Sequence, residues 1–323
     1  MPRDVAVLFV HGIQAHDAEF SQPFQRRLFR FLPRRLRSHL KCRTVFWGDI
    51  VRGRTQLYLN QAQLAAKIAD NQYRRLVVEG LGDAAAYQKT RRRENSAYFA
   101  IQERISQALA DADPRDDAGR PLVMIGHSLG CHIISSYAWD LNRMAQMSDA
   151  EVADWDDPYI TAMVGQLRST SPFRRLETFA GFVTLGSNMP LFTFTFGPDR
   201  VYPITHAPSL DKRPAFPGVA LSKPLLEQAR WLNFFSRNDI LGYPLKPLNA
   251  AYNGEARLLD CAVLSEGYLR AALLPSSMNA MHAHVGYWTN RGVIRETARL
   301  VANIMLADDA IHAKRKELNA LGS

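Results

Sequence analysis

The chain has 323 residues, of which 47% are hydrophobic and 22% charged, and its formal net charge is +9. These proportions exclude an intrinsically disordered chain and a protein built on membrane spans. The length suits one large α/β domain or two smaller ones, and no break in composition indicates a second folding unit.

The predicted elements begin with a continuous apolar strand, "VAVLFV" at 5–10, followed directly by "HGI". Such a strand is typical of a parallel sheet that is covered on both faces. An amphipathic helix is predicted from Gln22 to about His39, with Ser21 as its N-cap and Pro23 in its first turn. A second strand is predicted at 44–50.

Positive charge is concentrated around this first helix, because eight arginines or lysines and no acid lie between Ser21 and Gly48. Apolar residues recur at helical spacing from Phe24 to Leu36, so we expect the cations on the opposite, solvated face. The alternative is a weak contact with an anionic membrane surface. No nucleic-acid-binding motif accompanies the charge, and no nucleic-acid partner is expected. The eight are Arg26, Arg27, Arg30, Arg34, Arg35, Arg37, Lys41 and Arg43.

A helical insertion is predicted over about 54–118, broken near Gly80 and Gly82. The glycines of this segment lack the preceding strand that a dinucleotide-binding loop requires. A strand at 121–125 follows, and a helix leaves it from Leu129 to about Met147.

The second half of the chain continues the alternation of strands and helices. One or two surface helices are predicted at 148–178, and a strand at 179–186. The proline-rich segment 187–230 is irregular, which is typical of a lid or binding loop. Within it, Phe192, Phe194 and Phe196 either line an acyl pocket or form one buried face of a strand.

Two more strands are predicted at 231–236 and 256–264, and a closing helix from about Arg291 to Lys316. The whole order predicts the α/β class, with a mostly parallel sheet and helices on both faces, in a single domain over 1–323.

The motif "GHSLG" at 126–130 lies between an apolar strand and an apolar helix. This setting is that of a nucleophile elbow, a sharp strand-to-helix turn that projects a strained serine from the sheet edge. Gly126 and Gly130 would be required because side chains there would collide with the neighbouring helix and strand. We therefore predict Ser128 as a nucleophile; the simpler alternative is an inert serine in a tight turn.

A serine nucleophile needs a histidine base and a carboxylate that orients the base. Asp239 follows the strand 231–236 and is the predicted acid, whereas Asp260, inside a strand, is expected to be structural. His284 lies between the last strand and the final helix and is the predicted base, with His282 as its competitor. The order serine, aspartate, histidine is the one that a nucleophile-elbow fold requires.

The tetrahedral intermediate of acyl transfer needs two preorganised donors. The backbone N–H of Leu129, next to the nucleophile, is predicted to be one of them. The N–H of Ile13 is predicted to be the other, because Gly12 lets the loop after the first strand approach closely, with His11 supporting it.

With these motifs in place, the sequence resembles the α/β-hydrolase superfamily. It is similar to bacterial lipase-like and esterase-like members whose oxyanion loop reads His-Gly-hydrophobic and whose nucleophile motif reads Gly-His-Ser-Leu/Met-Gly. The resemblance spans Val5 to about Ala313. It implies an α/β-hydrolase fold, the triad Ser128, Asp239 and His284, and oxyanion donors at Ile13 and Leu129.

The expected function is hydrolysis of a small-molecule or lipid ester through an acyl-enzyme on Ser128, without cofactor or metal. A thioesterase or an acyltransferase would use the same residues. A different class of function also stays open, in which a catalytically silent protein binds anionic lipid or nucleic acid through its basic surface.

The three cysteines, Cys42, Cys131 and Cys261, are far apart and have no paired spacing. They signal neither a zinc site nor a disulfide framework, and are typical of buried thiols in a reducing compartment. The apolar run at 5–10 is too short for a signal peptide or a membrane span. A cytoplasmic protein is therefore expected.

Overall fold

The computed structural model describes residues 2–13, 15, 17–69, 72–89, 96–113, 119–154, 158–194, 196–265 and 282–307. A six-stranded, all-parallel sheet forms its centre. The strands are β1 (Val5–Val10), β2 (Leu40–Val45), β3 (Leu122–His127), β4 (Phe179–Leu185), β5 (Arg230–Ser236) and β6 (Leu258–Val263). Their order across the sheet is β2-β1-β3-β4-β5-β6.

Helices follow most of the strands and cover the sheet. They are α1 (Gln22–Phe31), α2 (Gly48–Ala66), α3 (Gln72–Ala86), α4 (Ala97–Ala112), α5 (Leu129–Ala145), α6 (Asp149–Asp154), α7 (Pro158–Ser169), α8 (Met189–Thr193), α9 (Lys223–Gln228), α10 (Ala250–Asn253) and α11 (Arg291–Leu306). Short 3₁₀ helices occupy Arg34–His39, Pro198–Arg200, Lys246–Leu248 and Tyr287–Thr289.

The sheet is the core because β1, β3 and β4 are buried along their whole length. The connection from β1 to β2 runs in one direction along the sheet and the connection from β3 to β4 runs in the other. Right-handed crossovers in opposite directions place α1 and α5 on opposite faces. Helix α11 packs beside α1, and α7 packs beside α5. The predicted α/β class and parallel sheet are confirmed.

The second strand and the first helix differ from their predictions. Helix α1 ends at Phe31, because Pro33 lacks an N–H and holds Leu32 in an extended conformation. The strand predicted at 44–50 lies at Leu40–Val45 instead. Trp47 was part of the predicted strand, but it is buried outside the sheet, where its ring stacks on His11 with ring centroids 4.6 Å apart.

The helical insertion is not broken at its glycines. Helix α3 runs through Gly80 and Gly82 without interruption, whereas α2 ends at Lys67 in a left-handed conformation. A β-carbon on Gly80 would lie 2.9 Å from Ile13 Cδ1, and one on Gly82 would lie 3.1 Å from Thr55 Cγ2. Both glycines thus allow close helix contacts, and α3 contacts the loop that follows β1.

The segment 187–230 contains only short helices, and its phenylalanines do not form a strand. Phe192 lies in α8 and stacks on His132 at 4.2 Å, while Phe194 and Phe196 are exposed. The closing helix was predicted too long, since Ala307 is extended after α11. Residues 308–316 of that prediction lie outside the described residues.

The described helices include none that combines the length and apolar character needed to cross a bilayer.

Candidate active site

The candidate site lies at the carboxyl ends of the strands, where the direction of strand connections reverses. This reversal falls between β1 and β3, which are neighbours in the sheet. Ligands of open α/β sheets bind in the crevice formed at such a point. The residues "HGI" follow β1 directly, and Ser128 follows β3 directly. The sheet therefore brings together the two motifs that the sequence places more than 100 residues apart.

Ser128 stands in a strained turn between β3 and α5. Its φ of 52° and ψ of −123° are rare for a residue with a side chain, and such strain is concentrated at functional sites. Its N–H donates to Leu185 O at 2.9 Å, which fixes the turn against β4. Its Oγ is buried and forms no hydrogen bond with any described residue.

Glycines allow the close contacts around this turn. A β-carbon on Gly126 would lie 2.8 Å from Cys131 N in α5, and one on Gly130 would lie 2.4 Å from Val10 O in β1. A β-carbon on Gly12 would lie 2.5 Å from Ser128 Cβ. The loop after β1 consequently lies directly against the serine.

The two predicted oxyanion donors flank Ser128. Leu129 is the first residue of α5, and the first N–H groups of a helix have no partner within it. Ile13 follows Gly12, which contacts the serine. Among the described residues, neither backbone N–H has an acceptor. The positive end of the α5 dipole adds to the attraction for a negative oxygen.

His284 and Asp239 form a buried pair. The Nδ1 of His284 lies 2.9 Å and 3.0 Å from the two carboxylate oxygens of Asp239. Their side chains are 4% and 0% exposed. Because a carboxylate only accepts, Nδ1 carries the proton and Nε2 of a neutral ring is left as an acceptor. That Nε2 is buried and has no hydrogen bond to a described residue.

Three donors converge on Asp239. Besides His284, the Leu241 N–H donates to Oδ1 at 2.9 Å, and the Tyr287 hydroxyl donates to Oδ2 at 2.8 Å. Burial by itself raises the pKa of Asp239, but these hydrogen bonds and the nearby imidazole outweigh it and hold the pKa below its ordinary value. Asp239 is thus kept ionised.

Tyr287 was not predicted from the sequence. Its fully buried hydroxyl also accepts from Ser236 N at 2.8 Å, so it links the end of β5 to the acid. The only signal was its place in "HVGYW", three residues after His284.

His127 holds the segment that carries His284, a contact that was not predicted from the sequence either. Its Nε2 donates to the backbone carbonyl of His284 at 2.6 Å, and the two rings lie 4.9 Å apart between centroids. Since His127 precedes Ser128, this bond ties the His284 segment directly to the elbow. Burial, with repulsion from His284, lowers the pKa of His127 to about 3.

His11 is a structural residue. Its Nδ1 donates to Gly12 O at 2.6 Å, and its Nε2 accepts from Trp47 N at 2.9 Å and from Gly48 N at 3.2 Å. It therefore caps the start of α2 and holds the Gly12 loop in place. Burial lowers its pKa to about 4, so the ring is neutral.

The competing acid, Asp260, has other partners. Asp260 accepts from Asn233 Nδ2 at 2.7 Å and from the backbone of Leu245 and Lys246 at about 3 Å, and it fixes the loop after β5. The histidine whose ring nitrogen bonds to Asp239 is His284.

The buried neutral histidines predict a marked loss of stability in mild acid. His11, His132 and His127 bind protons near pH 6.5 when the chain is unfolded, but burial lowers their pKa values to about 4, 4 and 3 when it is folded. The unfolded state therefore holds more protons below pH 6.5, and stability falls as the pH decreases. Each histidine contributes a slope of up to about 1.4 kcal/mol per pH unit, which is largest near pH 5.

Urea unfolding followed by tryptophan fluorescence at pH 7.5, 6 and 5 measures this slope. The variant His127→Gln retains a side-chain N–H donor and should lose about a third of it, because His11 and His132 remain. A free energy of unfolding that is constant from pH 7.5 to 5 would contradict the prediction.

A large groove lies away from Ser128. It has a volume of about 1050 Å³ and is bounded by α4, α5 and α7. Tyr137, the α5 lining residue nearest to the serine in sequence, is about 13 Å along the helix axis from it. Within the described ranges, no cluster of histidine, cysteine and acidic side chains is suited to a metal ion.

All three cysteines are free thiols, with Cys131 buried behind the elbow. Comparison of the chain with protein-family models and with curated proteins finds no match, so its functional interpretation depends on the geometry of this site.

Proposed function

We propose that this protein is a serine hydrolase of the α/β-hydrolase superfamily that cleaves carboxylic esters through an acyl-enzyme on Ser128. The observation that carries the proposal is the buried His284–Asp239 pair, anchored by His127 to the strained turn that presents Ser128. The Ser128 hydroxyl and His284 Nε2 are both buried without a hydrogen bond, which lowers the stability of the folded protein. Proton transfer from the hydroxyl to this nitrogen during catalysis would explain why both groups are present.

In acylation, His284 Nε2 takes the proton of Ser128 while Oγ attacks the ester carbonyl carbon. The carbonyl oxygen becomes an oxyanion and accepts from the N–H groups of Ile13 and Leu129. When the tetrahedral intermediate collapses, the C–O bond to the alcohol breaks. The imidazolium of His284 then gives its proton to the leaving alkoxide, and the alcohol departs.

Deacylation repeats these steps with water. His284 removes a proton from the water, whose oxygen attacks the acyl carbon. Collapse of the second intermediate returns the proton to Ser128 Oγ and releases the carboxylic acid. In both halves the carboxylate of Asp239 stabilises the imidazolium, and its burial strengthens that attraction.

Apolar side chains at this end of the sheet support an uncharged substrate. Ile240 and Val285, which follow Asp239 and His284, are 62% and 51% exposed. Leu191 in α8 and Phe194 directly after α8 are also exposed. A neutral ester with an apolar acyl group suits such surroundings better than a charged one.

The test is labelling with a fluorophosphonate, which reacts only with an activated serine. We expect the folded protein to be labelled, the heat-denatured protein not to be, and the modified peptide to contain Ser128. The matched control is Ser135→Ala, which changes a half-buried serine on α5 and should not alter labelling. Labelling of another serine, or none in a folded sample, would contradict the proposal.

A further inference from the structure

A basic and partly aromatic surface extends along α1 toward the end of the sheet opposite Ser128. It consists of four exposed arginines and two exposed phenylalanines on α1 and the 3₁₀ helix that follows, and we call it the basic surface. Its residues are Arg26, Phe29, Arg30, Phe31, Arg34 and Arg35.

The arginines of the basic surface are not neutralised. The guanidinium of Arg26 contacts the amide of Gln22. No described carboxylate lies within ion-pair distance of Arg30, Arg34 or Arg35. Their charges are thus available to an anionic partner.

The phenylalanines are not needed by the core. Phe24, Leu28, Leu32 and Leu36 already form the buried stripe of this segment. Phe29 lies outside that stripe and Phe31 lies at its margin, with 44% and 36% of their surface exposed. A purely solvated helix face, as predicted from the sequence, does not account for two large aromatic rings in water.

A depression adjoins the basic surface, between α1 and the edge strand β2. Its volume is about 570 Å³, and three guanidiniums surround an apolar floor. Arg37 is held there by hydrogen bonds to the carbonyls of Leu32 and Arg30, each 3.1 Å long, and lies over the Phe29 ring. The lining residues are Gln25, Arg26, Phe29, Arg30, Arg37, Leu40 and Cys42.

We propose that the basic surface docks this protein on membranes that contain anionic phospholipid. The arginines match the lipid phosphates and carboxylates, and the phenylalanines and the apolar floor match the first carbons of the acyl chains. Apolar groups that enter the lipid distinguish this partner from a nucleic-acid duplex, whose phosphate backbone the arginines alone would contact.

Docking in this way orients the candidate active site. Helix α1 begins beside the carboxyl end of β2, where Ser21 Oγ lies 3.0 Å from Thr44 Oγ1. Helix α1 therefore ends near the amino-terminal ends of the strands, where Leu40 pairs with Val5. Ser128 lies at the carboxyl-terminal ends of the strands, about 20 Å away along a six-residue strand. A docked molecule directs Ser128 away from the bilayer.

Sedimentation of the full-length protein with vesicles tests the proposal. We expect binding to phosphatidylcholine vesicles containing 30% phosphatidylserine to be at least tenfold stronger than to pure phosphatidylcholine. The triple variant Arg30→Gln, Arg34→Gln, Arg35→Gln should lose at least tenfold of this affinity. The double variant Phe29→Ser, Phe31→Ser should also weaken it, although the charge is unchanged.

The matched control removes three charges from the exposed face of α11 through Arg291→Gln, Arg295→Gln and Arg299→Gln. It should bind as the unmodified chain does, and circular dichroism verifies that each variant is folded. An equal loss in this control, or equal binding to both kinds of vesicle, would overturn the proposal. Binding to single-stranded or duplex RNA without binding to the anionic vesicles would overturn it too.

Discussion

Replacing Ser128 by alanine is expected to lower kcat/KM for p-nitrophenyl butyrate by at least about 10⁴-fold. In the proposed mechanism this substitution removes the only atom that forms the acyl-enzyme, and the residual rate comes from the proposed oxyanion donors acting on a bound ester. Because a triad of this kind acts as a unit, further replacement of His284 should reduce the rate little more.

The same substitution should not destabilise the protein. Ser128 Oγ is buried without a hydrogen-bond partner among the described residues, so alanine removes an unsatisfied polar atom. We expect a midpoint of thermal unfolding equal to or above that of the unmodified chain, as for residues kept for activity rather than stability. Full activity in folded Ser128→Ala, with Ser135→Ala as the control, would eliminate Ser128 as the nucleophile.

Replacing Asp239 by asparagine is expected to lower kcat by about 10³- to 10⁴-fold with little change in KM. An asparagine oxygen at the Oδ1 position can still accept from Leu241 N, which places its NH₂ group at the Oδ2 position, 3.0 Å from His284 Nδ1. Nδ1 must then be an acceptor, so the proton moves to Nε2. That tautomer cannot take the proton of Ser128.

Asp260→Asn is the matched control for this carboxylate. Asp260 accepts from Leu245 N, Lys246 N and Asn233 rather than from a histidine. Its loss should cost about 1–3 kcal/mol in the free energy of unfolding, yet leave kcat of the folded protein nearly unchanged. Steady-state kinetics and urea unfolding of both variants separate the two roles. The reverse pattern would assign the orienting acid to Asp260.

The sequence predicts best those elements whose hydrophobic pattern matches their burial in the folded protein. Strands β1, β3 and β4 are apolar throughout because both faces are buried, and the structure has them within two residues of prediction. Strand β2 was misplaced because an edge strand is only partly covered and alternates half-buried with exposed residues. The strand was predicted around the apolar residues 45–47, but these are apolar because they pack at the turn that follows β2.

Sequence reasoning alone identified the strand-to-helix turn around Ser128, because steric limits on that turn impose a short local motif. It also identified the α/β class, because strands and helices alternate along the chain. Only the tertiary structure decided which histidine pairs with Asp239, that Tyr287 and His127 hold the pair in place, and that Phe29 and Phe31 face solvent. Such contacts join residues up to 157 positions apart. They depend on strand order and helix packing, which leave no periodic trace in the sequence.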